Sequence, residues 1–167
     1  MTAKDPRLRF LLWFTLALGV ELAIVVWAFD RQLDPPLNRA TARSTAWALS
    51  LLGADCRAVG DLVTCPSLST IRIIFECTAA FPLGIFLAAV IAFPSGWRWK
   101  LVGVAAGAPA ILVLNLVRMM SLVWLGARYP HWADWMHVVF WQSAMILFVA
   151  LLWLLWASRG GRRARLA

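Results

Sequence analysis

The stretch LVGVAAGAPAILVLNLVRMMSLVWL, residues 101–125, decides the fold class of this chain. Only Asn115 and Arg118 interrupt its apolar character. An α-helix of this length rises about 37 Å, at about 1.5 Å per residue, which exceeds the roughly 30 Å hydrocarbon core of a bilayer. The stretch therefore predicts a membrane-spanning helix.

Three further apolar runs occupy residues 10–29, 79–93 and 138–156, and Glu21 interrupts the first of them. The first run is long, and no small-residue cleavage site follows it, so we interpret it as a retained span and not as a signal peptide. The pattern predicts an all-α polytopic membrane protein with about four transmembrane helices. We expect one integral membrane domain over residues 1–167.

The composition excludes other classes of protein. Apolar residues make up 62% of the chain and charged residues 14%, whereas soluble domains are about 45–50% apolar. A disordered chain needs the opposite balance, and a soluble enzyme needs more polar surface. The chain also has no CxxC pair, no zinc-ligand spacing and no phosphate-binding glycine loop.

The net charge of +8 indicates an orientation in the membrane. A nucleic-acid-binding protein would cluster its basic residues on a soluble face, whereas here they flank the apolar runs, so we expect no nucleic acid partner. Cytoplasmic loops carry the excess of Lys and Arg, which places both termini in the cytoplasm. The inner segments then hold Asp5 and the basic residues Lys4, Arg7, Arg9, Arg98, Lys100, Arg159, Arg162, Arg163 and Arg165.

The loop outside the membrane, residues 30–76, has structure of its own. Pro35-Pro36 is expected to break the first helix, and residues 40–52 form a mildly amphipathic segment suited to the membrane surface. Residues 70–75 alternate, with Ile71, Ile73 and Phe75 on one face, as in a short strand.

A β-hairpin is expected between these segments, with Gly60-Asp61 as its two-residue turn. Counting outward from the turn pairs Val59 with Leu62, Ala58 with Val63, Arg57 with Thr64, and Cys56 with Cys65. The last pair falls in a non-hydrogen-bonded position, where Cα atoms approach to about 4.5 Å, within reach of a disulfide. We predict a Cys56–Cys65 disulfide; the alternative is two unpaired thiols.

Arg118 is the most costly residue in the predicted spans, because a charge at the centre of a membrane helix costs about 2.5–3.5 kcal/mol on insertion scales. Gly107 lies nearly three turns earlier on the same stripe, and small residues mark helix–helix contacts in membranes. The stripe therefore directs Arg118 into the bundle, although snorkelling to the outer headgroups is an alternative. Asn115 lies one turn before Arg118.

Cys77 and His137 stand at the outer ends of two other spans. Cys77 precedes a helix expected to begin near residue 80, with Pro82 in its first turn, where the helix dipole would favour a thiolate. Taken alone, Cys77 is better interpreted as a small buried apolar residue, which is the commonest fate of a lone cysteine. His137, like the nearby His131, could be an interfacial residue among tryptophans.

The three residues together predict chemistry that none predicts alone. The topology places Cys77, Arg118 and His137, from three different spans, near the outer leaflet. A thiolate attacks carbonyl carbon, an imidazole moves protons at neutral pH, and a guanidinium stabilises an oxyanion. These are the parts needed for acyl transfer.

At these residues the chain resembles the exosortase/archaeosortase family of membrane cysteine transpeptidases. The resemblance rests on Glu76-Cys77-Thr78-Ala79, on Asn115-Leu-Val-Arg118 and on His137, and it covers about residues 55–157. The chain departs from the family at Ala79, where Gly is usual, and in having four expected spans where many members have about eight. It looks like a short form, similar to the exosortase H subgroup.

The resemblance implies a protease/transpeptidase of the bacterial inner membrane whose active site faces the periplasm. Its substrates would be secreted proteins with a C-terminal motif, an apolar helix and a basic tail. Cys77 would form a thioester that a lipid or glycan amine, or water, resolves. Arg118 would hold the oxyanion or the thiolate, His137 would be general acid and base, and no metal or organic cofactor would be needed. Supporting or substrate-binding roles would fall to Glu76, Thr78, Asn115 and His131.

Two other functions remain open at the level of the sequence. A quinone-coupled membrane thiol–disulfide oxidoreductase would also have outer cysteines and an embedded arginine. A non-enzymatic membrane assembly subunit would need none of these residues for chemistry.

Overall fold

The computed structural model describes residues 6–30 and 35–164. These ranges contain six α-helices and a small antiparallel sheet of three strands. The helices are α1 Pro6–Asp30, α2 Pro35–Leu51, α3 Ala80–Ala92, α4 Trp97–Arg128, α5 Pro130–Trp135 and α6 Gln142–Ala164. The strands are β1 Arg57–Val59, β2 Leu62–Thr64 and β3 Thr70–Arg72.

Each of the four predicted apolar runs is helical. In the described part of the chain, two stretches are long and apolar enough to cross a bilayer, Trp97–Arg128 and Pro130–Gly160. Helix α3 has 13 residues and so rises only about 20 Å, less than the roughly 30 Å of hydrocarbon. The number of four spans stays a prediction.

Helix α3 is the centre of the bundle, because it packs against α1, α4 and α6. Gly107 of α4 allows a close approach to α3, because a Cβ there would clash with the ring of Phe86. Gly84 of α3 meets the carboxylate of Glu21 in the same way. Glu21 thus turns toward a neighbouring helix, as is expected of an ionisable residue in a membrane helix.

The outer loop folds into a cap made of α2 and the sheet. The hairpin has the predicted register, Arg57 with Thr64, Ala58 with Val63 and Val59 with Leu62, and Gly60 takes a positive φ of 64° in the turn. Cys56 and Cys65 are joined by a disulfide, with their Cα atoms 4.3 Å apart.

Two boundaries in this cap differ from the sequence expectation. Helix α2 begins at Pro35, five residues before the expected segment, because proline is well suited to the first turn of a helix. Strand β3 ends at Arg72 and not at residue 75. The predicted alternation nevertheless continues, because Ile73 and Phe75 are buried and Ile74 is exposed.

The cap and the outer half of the bundle share one hydrophobic core. It joins α2, the sheet and α4 to the turn that carries the third cysteine, and its buried members include Ala46, Val63, Ile73, Cys77, Met119, Val123 and Trp141. The cap therefore fixes the segment that leads into α3.

Candidate active site

Cys77 lies in a 3₁₀ turn, Phe75–Cys77, directly before α3. The hydroxyl of Thr78 donates a hydrogen bond to the Phe75 carbonyl, with an oxygen–oxygen distance of 2.7 Å, and accepts one from the Ala80 amide at 3.3 Å. Thr78 thus closes the turn and supports the start of the helix. These bonds give Thr78 a structural role, and its side chain is buried and engaged in them.

Asn115 fastens this turn to α4. Its Nδ2 donates a hydrogen bond to the Cys77 carbonyl over 3.0 Å, and the side chain is buried. Arg118 follows one turn later on α4, so the same bond that holds the cysteine also sets its position relative to the guanidinium.

Arg118 points into the protein, as the glycine stripe predicts, and does not snorkel: it is only 3% exposed. Its Nη2 lies 3.3 Å from Nδ1 of His137, and it interacts electrostatically with the Cys77 thiol. A guanidinium has donors only, so this contact requires an unprotonated Nδ1. The proton of the neutral imidazole is therefore on Nε2.

The thiol of Cys77 is less acidic than the sequence suggests. Burial is the largest influence and raises its pKa, and the charge of Glu76 acts in the same direction. A hydrogen bond from the Ile74 backbone and the charge of Arg118 lower the pKa, but they do not overcome burial. The expectation of a thiolate stabilised by the helix dipole is therefore wrong for this resting site, because desolvation disfavours the charged form more strongly.

His137 reaches this site because the chain is π-helical at Met136–Trp141. The residues of α6 that face the groove recur at intervals of three and four, as Gln142, Met145, Val149 and Trp153 show. At about 100° per residue, a regular α-helix would turn residue 137 about 140° away from that face. The wider i→i+5 turns of a π-helix compensate for this rotation and bring the imidazole to Arg118.

A groove of about 810 Å³ opens beside the site. Its polar end is formed by Glu76, Arg118, His137 and Gln142. The rest of its wall is apolar and comes from α1, α3 and α6, including Phe10, Phe14, Ile85, Met145, Val149 and Trp153. Cys77 is 6% exposed and lies behind this wall, among the buried residues that join the cap to the bundle.

Of the remaining candidate residues, Glu76 lies at the site and His131 lies outside it. Glu76 is exposed, lines the groove and acts electrostatically on both Cys77 and His137. His131 is exposed on α5, and its ring contacts Trp132 and not the site. Sequence reasoning missed Gln142, although a polar residue at the start of an apolar run was a signal that could have drawn attention to it.

Comparison with known proteins gives one match. A family model described as transmembrane exosortase matches residues 1–157. No curated protein matches the chain, and neither does any solved structure.

Proposed function

The chain belongs to the transmembrane exosortase family, and from this premise we propose that it is a membrane-embedded cysteine transpeptidase acting on the C-terminal sorting signals of secreted proteins. The observation that carries the proposal is the contact of buried Arg118 with His137, together with its electrostatic interaction with the Cys77 thiol. The guanidinium and the imidazole line one end of the groove, and the thiol is buried behind the groove wall.

The first step transfers the proton of the Cys77 thiol. At rest Nδ1 of His137 is occupied by Arg118, and the thiol is protonated because of its raised pKa. When a substrate carbonyl enters, Arg118 turns to its oxygen, where negative charge develops in the transition state. Nδ1 is then free to accept the thiol proton as the sulfur attacks the carbonyl carbon.

The second step breaks the peptide bond. The tetrahedral intermediate collapses to a thioester on Cys77, and the leaving nitrogen takes the proton from His137. An amine of a lipid or glycan acceptor, or water, then attacks the thioester. Its proton passes to His137 and from there to the departing sulfur, which restores the resting site.

The groove suits the apolar helix of such a substrate. The groove extends about 24 Å from His137 to Trp153, because each helical residue rises about 1.5 Å. Most of its wall is apolar. A helix in this groove would place the peptide bond that precedes it beside Arg118 and His137.

We further propose that both termini lie in the cytoplasm and that the site faces the periplasm across a bacterial inner membrane. The charge distribution supports this orientation.

The test is coexpression of the protein with a secreted substrate carrying the motif, helix and basic tail. We expect Cys77→Ala, Arg118→Ala and His137→Ala each to abolish removal of the tail. His131→Ala is the matched control, because this second histidine lies outside the site, and it should retain processing. Processing that persists in Cys77→Ala would refute the proposal.

A further inference from the structure

Gln142 lines the groove but has no role in the proposed mechanism. It is the first residue of α6 and lines the groove together with Arg118 and His137. Its side chain is exposed to the groove and makes no hydrogen bond or ion pair with any residue in the described ranges 6–30 and 35–164. An unpaired amide at the polar end of a mostly apolar groove is free to form a hydrogen bond with a ligand that enters.

Gln142 lies on the apolar side of His137, toward Met145 and Trp153. A substrate whose scissile carbonyl is beside Arg118 would have its next residues at Gln142. These residues begin the substrate helix, and the first four N–H groups of a helix have no partner within it. In a membrane such groups must be satisfied by protein, since lipid offers no acceptor.

We infer that Gln142 binds the substrate by accepting a hydrogen bond, through Oε1, from an unpaired N–H at the start of the substrate helix. It thereby selects which peptide bond lies beside Arg118 and His137. The inference rests on the proposed function and adds a residue that sets the register of cleavage.

The π-helical segment supports this role. It places His137 and Gln142, five residues apart, on the same wall of the groove. His137 gives its proton to the leaving nitrogen, and Gln142 accepts from the N–H groups that follow. The two side chains therefore line the groove in the same order as these groups along the substrate.

The test compares Gln142→Met, which keeps the length of the side chain and removes the amide, with the wild type. Ser143→Ala is the matched control, because Ser143 is the next residue and is absent from the groove wall. The loss of one helix cap of typical strength should slow tail removal by Gln142→Met roughly fivefold. Mass spectrometry of the released helix should also show several N-termini where the wild type gives one.

A second substrate makes the test specific. Its residues just after the scissile bond carry a Ser or Asp, which caps its own helix. Gln142→Met should process this substrate at the wild-type rate and register, and this recovery would also show that the variant is folded. Equal impairment on both substrates, or wild-type behaviour on both, would overturn the inference.

The Cys77→Ala variant distinguishes a failure of the proposed function from a failure of the proposed role of Gln142. If it still removes the tail, the proposed function fails. If it is inactive while Gln142→Met matches the wild type in rate and in register, the role of Gln142 fails alone.

Discussion

Arg118 controls the state of two reactive groups at once. Its guanidinium occupies Nδ1 of His137 and lowers the pKa of the Cys77 thiol, while burial raises that pKa more. In the proposed mechanism, the resting site has a protonated thiol and a blocked base until a substrate carbonyl draws the guanidinium away. Such an arrangement keeps a nucleophilic cysteine from reacting before the substrate arrives.

The raised pKa predicts how Cys77 reacts with an alkylating reagent. Because the thiolate is the reactive form, alkylation of the purified protein by iodoacetamide should rise with pH and reach half its maximum above the pH typical of a free cysteine. The rate is measured from the mass of the protein at a series of pH values.

Two substitutions should move this profile in opposite directions. Arg118→Ala removes a charge that lowers the pKa, so its midpoint should lie at higher pH; Glu76→Gln removes a charge that raises it, so its midpoint should lie at lower pH. Profiles that coincide in all three proteins would contradict the assigned electrostatics.

Cys77, Arg118 and His137 could be selected from the sequence because each is an expensive or unusual residue for its membrane position. The protonation state of the Cys77 thiol could not be predicted from the sequence, because its pKa depends on how deeply the turn is buried. The direction of Arg118 was predictable from Gly107, because a stripe of small residues indicates the face that packs.

At the scale of elements, the π-helical segment Met136–Trp141 decides whether His137 belongs to the site. A π-bulge corresponds to one extra residue in an α-helix. Deletion of exposed Val139 should restore a regular helix and rotate His137 away from Arg118. We expect tail removal to be lost while circular dichroism shows the helix content retained.

The control for that deletion is removal of exposed Leu154, which lies in the α-helical part beyond the groove residues. It shortens the continuous helical stretch Pro130–Gly160 by one residue, as the deletion of Val139 does, and leaves the phase between His137 and the groove unchanged. Normal processing after deletion of Val139 would show that the π-helical segment does not position the imidazole.

Removal of the Cys56–Cys65 disulfide distinguishes a transpeptidase from an oxidoreductase. Replacing Cys56 and Cys65 together by Ala should lower the free energy of unfolding by about 2–4 kcal/mol, because the hairpin belongs to the core that holds Cys77. A transpeptidase should retain part of its tail removal in this variant. An oxidoreductase would lose all disulfide exchange in this variant, so complete loss of tail removal in a variant that still folds would contradict the proposal.

The elements were predictable to different degrees. The hairpin register followed from the two-residue turn at Gly60-Asp61, since the turn length leaves one way to pair the strands. The start of α2 was missed because Pro35 reads as a helix breaker and is also a good first-turn residue. The π-helical segment leaves no signal in the apolar pattern of residues 138–156, because either helical phase buries apolar side chains.

On the scale of the whole molecule, the proposed orientation rests on the separation of charge along the bundle. The basic residues Arg98 and Lys100 lie at the start of α4, whereas Arg118 and the cap belong to the opposite end of the bundle. The apolar composition and charge asymmetry were sufficient to predict a helical membrane protein. The short α3 was predictable, because its apolar run covers only residues 79–93 and the helix Ala80–Ala92 lies within it.

This orientation can be measured by cysteine labelling in intact cells, in a Cys77→Ala background that has no other free thiol. His131→Cys places an exposed thiol on α5, on the side of the catalytic groups, and should react with a membrane-impermeant maleimide. Ser158→Cys, exposed near the opposite end of α6, should react only after the membrane is permeabilised. The reverse pattern would put Arg118 and His137 on the cytoplasmic side, where a secreted substrate could not present its sorting signal.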